Sequence, residues 1–142
     1  MSKVSDILLR KGNSSVSVGP DISVLDALKL MAEKNIGSVV VMSNEEYLGL
    51  VTERDYSRKV ILLGKNSVDT KVNEIMTTNL PHIKPDDNID HCMELMTTGN
   101  IRYLPVIEDG KMKAIISMGD VVKETILRQQ QMISHLDNYI RS

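Results

Sequence analysis

The sequence predicts an α+β fold made of two pseudo-symmetric β-α-β-β-α units packed sheet to sheet, with a long C-terminal helix. Residues 20–55 align without a gap to residues 85–120, and eight of the 36 aligned positions are identical. Each copy combines short strand patterns with an amphipathic helical stripe. An apolar seam then continues past the end of the second copy. A repeat of this kind indicates one supersecondary unit that occurs twice.

The first copy begins with a strand and a helix. Residues 3–9 predict a short helix or turn that caps the fold, and Val16–Val18 alternates at the period of a strand. Ser23 is a favourable N-cap for the helix that follows, because its hydroxyl can accept a hydrogen bond from a first-turn amide. Asn35 and Gly37 end this helix.

A hairpin and a second helix complete the first copy. Val39–Met42 is a continuous apolar run, which is typical of a strand buried on both faces. Leu48–Val51 returns as its partner strand, and a helix runs from near Glu53 to about Leu63. Helices on one side of the sheet leave its other face to pack on the second copy.

The second copy repeats this order. Val72–Met76 corresponds to the N-terminal cap at a shift of 68 residues, whereas the rest of the repeat aligns at a shift of 65. The difference assigns three extra residues of the first copy to the loop Asn13–Ser15. A strand at Ile83 and a helix from about Asn88 come next. Asp109-Gly110 is a strong hairpin signal, and it joins strands at residues 103–107 and 113–117.

Length and charge limit the possible functions. The 142 residues divide into repeats at 1–64 and 65–142, each too small to be robust without a shared core. The net charge of −2 argues against general nucleic-acid binding. Neither a membrane-spanning run nor a signal-type N-terminus is found, so the cytoplasm is the default expectation. The single Cys92 excludes an internal disulfide framework, and its place on an apolar helix face predicts a core residue.

The C-terminal segment is longer than the repeat requires. From Gly119 to Ile140, apolar positions recur at spacings of four and three, in a seam that resembles a heptad pattern. One interpretation is a tail folded back on its own domain. The other, which we favour because the seam extends well past the end of the first repeat's counterpart, is a homodimer contact.

The two hairpins end in the same motif. Gly49–Asp55 and Ala114–Asp120 share one pattern: a small residue, two apolar residues, a hydroxyl residue, two variable residues and an aspartate. The hydroxyl lies where a strand meets a helix, so the structural interpretation is a capping box with Asp at the positive end of the helix dipole. The functional interpretation is a ribonucleotide site, because helix N-termini bind phosphate and a carboxylate accepts hydrogen bonds from ribose hydroxyls.

These motifs carry a family resemblance that covers nearly the whole chain. The segments concerned are Gly49–Asp55, Val51–Val60, Glu74–Thr77, Leu104–Val106, Ala114–Asp120 and Ser117–Val122. Together they resemble the CBS domain, named after cystathionine β-synthase. As a tandem pair, they are similar to the small stand-alone two-CBS proteins of bacteria.

The resemblance implies a regulatory sensor of an adenine nucleotide, such as AMP, ATP or NAD/NADH. It implies phosphate and ribose contacts at Thr52, Asp55, Ser117 and Asp120, adenine contacts near Val18 and Ile83, and a phosphate contact at Arg102. Arg54 adds a basic group to the first motif only, whereas the first repeat has Gly37-Ser38 where the second has Arg102. The two clefts are therefore not expected to be equivalent.

Enzymatic and metal-binding functions find no support in the sequence. No nucleophile stands beside a base and an orienting acid, and the three histidines lack metal-ligand spacing. The function we favour is a non-enzymatic nucleotide sensor that forms a homodimer and acts on a separate protein. The alternative is a structural dimerisation scaffold that binds no ligand.

Overall fold

The computed structural model describes residues 2–12 and 15–141, and it confirms the α+β fold with a long C-terminal helix. Helices are α1 (Val4–Lys11), α2 (Val24–Lys34), α3 (Glu53–Tyr56), α4 (Ile89–Gly99) and α5 (Met118–Arg141). Strands are β1 (Ser17–Val18), β2 (Ser38–Ser43), β3 (Glu46–Thr52), β4 (Tyr103–Glu108) and β5 (Lys111–Ser117). A π-helical turn (Ser57–Ile61) extends α3, and a 3-10 turn covers Val72–Glu74. Asn13 and Ser14, in the loop predicted to hold extra residues, lie outside the described residues.

The chain folds into two compact units that exchange the cap segments of the repeats. Of the described residues, the first unit contains 15–80, and the second contains 2–12 and 81–141. Helix α1 precedes the first repeat in sequence but belongs to the second unit, whereas the 3-10 turn belongs to the first. The fully buried side chains of Val4 and Val72 anchor the two caps in the cores of their units.

The first unit is built on a three-stranded sheet. Its order is β1-β2-β3, with β1 parallel to β2 and β2 antiparallel to β3. The last cap residues extend this pairing, because the amide and carbonyl of Thr77 bond to the carbonyl and amide of Leu50 at 2.8 and 3.0 Å. The buried core consists of Val24, Ala27, Met31, Val39, Val41, Val51, Val60, Val72 and Ile75.

The second unit repeats the hairpin and shortens the first strand. Strands β4 and β5 are antiparallel, with a register shift after Val106 that matches the shift after Val41 in the first unit. The strand predicted at Ile83 is reduced to a single parallel bridge with Val106. The buried core consists of Val4, Ile7, Ile83, Ile89, Cys92, Met96, Leu104, Val106, Ile116 and Val121.

Local chemistry explains several repeated residues. Asn35 and Asn100 both lie just after a helix in the left-handed region, with φ of 55° and 52°, a conformation that Asn tolerates better than most side chains. Both hairpin turns also have two residues with positive φ. The second turn uses Asp109-Gly110, whereas the first places Glu45 at a φ of 68°.

Helix α5 continues past the core of its unit. Its first turns pack on α4 and α1, and Val121 and Glu124 are buried. From residue 129 to residue 141 every side chain is exposed, so in this structure the tail does not fold back on its own unit.

Candidate functional site

The first motif forms a capped junction between β3 and α3. The hydroxyl of Thr52 accepts a hydrogen bond from the Asp55 amide at 3.1 Å, and Asp55 Oδ2 accepts one from the Thr52 amide at 3.0 Å. These reciprocal bonds constitute the capping box that the sequence predicted as the structural interpretation. The hydroxyl of Thr52 also donates to Asp55 Oδ2 at 3.1 Å.

Two further groups bind the other carboxylate oxygen of Asp55. The hydroxyl of Thr77 donates to Oδ1 at 2.9 Å, and the ammonium of Lys59 lies 3.0 Å from the same atom. Asp55 is only 7% exposed. Both of its oxygens are therefore engaged in the interior of the first unit, and a ligand hydroxyl would have to displace one of these donors.

The second motif forms a more open junction between β5 and α5. Ser117 and Asp120 make the same reciprocal bonds, at 3.1 Å from the Asp120 amide and 2.9 Å from the Ser117 amide. Asp120 Oδ2 also accepts a 2.8 Å hydrogen bond from Lys11 of α1. The hydroxyl of Ser117 also stabilises the carboxylate, whereas the Lys11 and Ser117 amide bonds both reach Oδ2, and the side chain is 24% exposed. This carboxylate can therefore still accept bonds from a ligand.

The charge of Asp120 is stabilised by its surroundings. Burial alone raises the pKa of Asp120, but the hydrogen bonds from Lys11 and from the Ser117 amide outweigh burial, so its pKa lies below the ordinary value. Asp120 is thus ionised at neutral pH, which is the state that accepts hydrogen bonds from hydroxyl groups.

The two junctions obtain their cations from different places. At a shift of 65, Lys59 of the first repeat aligns with Glu124 of the second. Lys59 forms an ion pair with Asp55 from the next turn of the same helical segment. Glu124 is negatively charged and therefore cannot form an ion pair with Asp120. Glu124 is 2% exposed and is paired instead with Arg10 of α1. The counter-ion of Asp120 therefore comes from Lys11, which lies more than 100 residues away in the sequence.

Two cavities lie beside the second junction, within the second unit. The larger has a volume of about 710 Å³, in the range of 300–1,000 Å³ that is usual for small-molecule sites. Its polar walls come from Arg102, Ser117 and Lys123, and its apolar walls include Met118 and Val122. The smaller, of about 220 Å³, lies between α1 and α5 and is lined by charged groups. These groups are Arg10, Lys11, Asp120, Lys123 and Glu124.

The four remaining predicted site residues differ in how open they are to a ligand. Val18 is half-buried in β1, and Arg54 is half-buried in α3. Ile83 is fully buried, and its amide and carbonyl bond to β4 at 3.0 and 2.9 Å, so neither its side chain nor these backbone groups are open to a ligand. Arg102 is exposed and lines the larger cavity.

Sequence reasoning did not predict the roles that four polar residues have at the junctions. The spacing of four between Asp55 and Lys59 could have indicated their ion pair. Lys123 follows the second motif directly and adds a cation to both cavities. Thr77 and Lys11 carry no such signal, because only the tertiary fold brings them to the carboxylates.

Other candidate chemistry adds little. Among residues 2–12 and 15–141, no cluster of three or more His, Cys, Asp or Glu side chains could hold a metal ion. Cys92 is buried in the core of the second unit, as predicted, and burial raises its pKa to about 11. Of the helices described, none combines the length and apolar character needed to cross a membrane.

Comparison with known proteins identifies the family. The CBS domain model matches residues 4–61 and 72–126, once for each repeat. The chain belongs to the CBS domain family. It is 37% identical over 147 residues to the mitochondrial CBS domain-containing protein CBSX3 of Arabidopsis thaliana, covering 97% of this chain and 71% of the relative.

Solved CBS structures share this fold. A protein with CBS domains from Burkholderia ambifaria is 44% identical, with a TM-score of 0.86 over 90% of this chain and 96% of that one. The CBS domain pair of MJ0100, solved with 5′-methylthioadenosine and S-adenosyl-L-methionine, is 25% identical, with a TM-score of 0.76 over 87% of this chain and 99% of that one. Pairs of CBS domains act as regulatory ligand-binding modules, and this is the functional class of the chain.

Proposed function

We propose that this CBS pair is a non-enzymatic sensor that binds an adenine nucleotide at the Ser117–Asp120 junction and regulates a separate protein. The observation that carries the proposal is the state of Asp120, which is ionised, partly exposed and receives its Lys11 and Ser117 amide bonds on one oxygen only. AMP, ATP and NAD/NADH are the candidate ligands, because each contains the adenosine ribose and phosphate that this junction suits.

Each part of the nucleotide has a candidate partner in the second unit. The ribose hydroxyls donate to Asp120. The phosphate lies near Arg102, Lys123 and the hydroxyl of Ser117, where the N-terminus of α5 adds a favourable field. At 24 residues, α5 is long enough to have a full macrodipole. The apolar walls of the larger cavity are suited to the base.

The first junction is a weaker candidate. Thr52, Arg54 and Asp55 remain predicted contacts of a second nucleotide, but Asp55 already accepts bonds from Thr52, Thr77 and Lys59. A ribose would gain little by exchanging one of these buried bonds for its own. We therefore propose that the second junction binds the nucleotide more tightly than the first.

The MJ0100 complex supports an adenosyl ligand, since both molecules in that structure contain adenosine. It also shows that a related CBS pair binds ligands other than AMP, ATP or NAD. The screen that tests the proposal therefore includes adenosine and S-adenosylmethionine beside the nucleotides.

The experiment combines a thermal-shift screen with calorimetry. A ligand present at about 100 times its dissociation constant stabilises the protein by about 2.7 kcal/mol. We expect stabilisation by at least one of AMP, ADP, ATP, NAD and NADH, and loss of binding in Asp120→Ala. Arg102→Met should weaken AMP and leave adenosine unchanged, because only AMP carries a phosphate. A flat screen with all ligands would support the dimerisation scaffold instead.

We further propose that α5 mediates a homodimer. Five of its exposed apolar side chains form a seam with spacings of four, seven, three and four. They are Val122, Ile126, Ile133, Leu136 and Ile140. The family model ends at residue 126, so most of this seam lies beyond the repeat itself. Hexameric structures of CBS-CP12 proteins show that related chains assemble into oligomers.

Sedimentation analysis tests the homodimer. The variant Ile133→Glu with Leu136→Glu should be monomeric where the wild type is dimeric, while Gln130→Glu with Gln131→Glu, on the same helix but outside the seam, should remain dimeric. A monomeric wild type would contradict the proposal. The regulated partner and the cytoplasmic location stay predictions, and the Arabidopsis relative is named as mitochondrial.

A further inference from the structure

Helix α1 is held on α5 by two adjacent cations. Lys11 binds Asp120 at 2.8 Å, and Arg10 pairs with Glu124. Asp120 and Glu124 lie one turn apart on α5, so the two pairs stand side by side between the helices. Lys11 is the last residue of α1 and also donates to the carbonyl of Ile115 at 2.8 Å. The end of α1 is thus attached to the same carboxylate that is the candidate ribose acceptor.

The hydrogen-bonding capacity of Asp120 is partly used. A carboxylate has about four lone-pair sites, two on each oxygen. The Ser117 amide and the Lys11 ammonium both bind Oδ2, so neither of these two donors occupies Oδ1. A single hydroxyl can therefore bind Oδ1 without disturbing Lys11. A vicinal diol that bonds to both oxygens, as ribose can, needs the position that Lys11 holds.

There is room beside Asp120 for such an exchange. The cavity of about 220 Å³ between α1 and α5 is lined by both Lys11 and Asp120. This volume equals about seven water molecules at the share of 30 Å³ that each has in the liquid. Lys11 is 34% exposed, so its ammonium can turn toward solvent when it leaves the carboxylate.

We propose that ribose hydroxyls and Lys11 compete for Asp120, so that ligand binding loosens the end of α1 from α5. The inference rests on the proposed function and adds to it a regulatory output, the N-terminal helix. Competition is reciprocal: the ligand weakens the Lys11–Asp120 contact by the same factor by which that contact weakens ligand binding. Removal of Lys11 should therefore strengthen ligand binding. The first repeat lacks this coupling, because the cation on Asp55 is Lys59 of its own helical segment.

Adenosine is the probe, because it has the diol without a phosphate that could recruit Lys11. In calorimetry, Lys11→Met should bind adenosine about three- to tenfold more tightly than the wild type, a gain worth up to about 1.4 kcal/mol. The gain should disappear with 2′,3′-dideoxyadenosine, which has no diol. Arg10→Lys is the matched control, since it keeps a cation beside the buried Glu124 and leaves Lys11 and Asp120 unchanged, and its affinity should stay within twofold of the wild type.

Hydrogen exchange on the wild type provides a second measurement that needs no variant. Saturating adenosine should speed the exchange of amides in the last turn of α1 several-fold, while amides of α2 in the other unit keep their rates. Unchanged or weaker adenosine binding by Lys11→Met, or unchanged α1 exchange, would overturn the competition while leaving the nucleotide site intact. Absence of binding of adenosine and of all five nucleotides to the wild type would instead overturn the proposed function itself.

Discussion

The two strand-to-helix junctions have the same backbone plan and different surroundings. In the first, Thr77 donates its amide to the carbonyl of Leu50 and its hydroxyl to Asp55. In the second, Lys11 alone does both tasks, binding the carbonyl of Ile115 and the carboxylate of Asp120. Leu50 and Ile115 occupy the same position of the repeat. One junction is thus completed by an extended cap segment, and the other by a long side chain from a helix.

This difference separates a structural role from a binding role. Around Asp55, the hydroxyl of Thr77 from the cap joins the donors of Thr52 and Lys59, which leaves the carboxylate no further capacity. At the second junction, a cavity of about 220 Å³ lined by Lys11 remains beside Asp120. A duplicated motif therefore need not mean a duplicated site, because the residues that complete each copy lie outside the motif.

The largest effect is expected from Asp55→Asn. The amide cannot accept bonds from all of the donors around it and introduces an N–H group among them, so we expect a loss of about 2–4 kcal/mol in the free energy of unfolding. Asp120→Asn, at the more exposed junction, should cost less than about 1 kcal/mol. Urea denaturation of both variants gives the comparison. Equal losses would show that the junctions do not differ in this way.

Much of this architecture was readable from the sequence. The repeat, the capping residues and the hairpins follow from local patterns, and the identity of Asn35 and Asn100 is explained by their left-handed conformation. The exchange of caps was not predictable, because Val4–Leu8 and Val72–Met76 have the same apolar spacing and neither segment encodes the core on which it packs. Lys11 was missed for the same reason, since only the position of α1 brings it to Asp120.

Gly49→Ala tests the extended cap of the first junction. A Cβ at Gly49 would lie 2.7 Å from the carbonyl oxygen of Thr77, a backbone atom that cannot move without disturbing its pairing with Leu50. We expect a loss of about 1–3 kcal/mol. The second repeat has Ala114 at this position, and the reverse change Ala114→Gly should cost about 1 kcal/mol. A harmless Gly49→Ala would indicate that the cap does not approach β3 this closely.

Acid titration tests the counter-ion of the second junction. The pKa of Asp120 is lowered in the folded protein, so its contribution to stability is present above the unfolded value of about 3.9 and is lost as pH falls through the folded pKa. Lys11→Met should raise this pKa, reduce stability at neutral pH by about 1 kcal/mol, and make the acid limb less steep. An acid limb identical to that of the wild type would show that Lys11 does not stabilise the charge of Asp120.

The smallest effect is expected at the first hairpin. Glu45 has a positive φ of 68°, whereas the second hairpin has Gly110 in the same place. Glu45→Gly removes the strain of a side chain in this conformation and should stabilise the protein by about 0.5 kcal/mol, while Gly110→Ala should destabilise it by about 1 kcal/mol. Thermal unfolding of the two variants measures both changes. Destabilisation by Glu45→Gly would contradict the turn geometry.

Carboxyl ¹³C NMR of the aspartates during a titration with AMP tests the central claim most directly, with the Asp120 resonance assigned from Asp120→Asn. We predict that the Asp120 resonance shifts in proportion to AMP occupancy while the Asp55 resonance stays in place, because Asp120, unlike Asp55, can accept further hydrogen bonds from a ribose. A shift of Asp55 with a stationary Asp120, at AMP concentrations where calorimetry shows binding, would contradict the account.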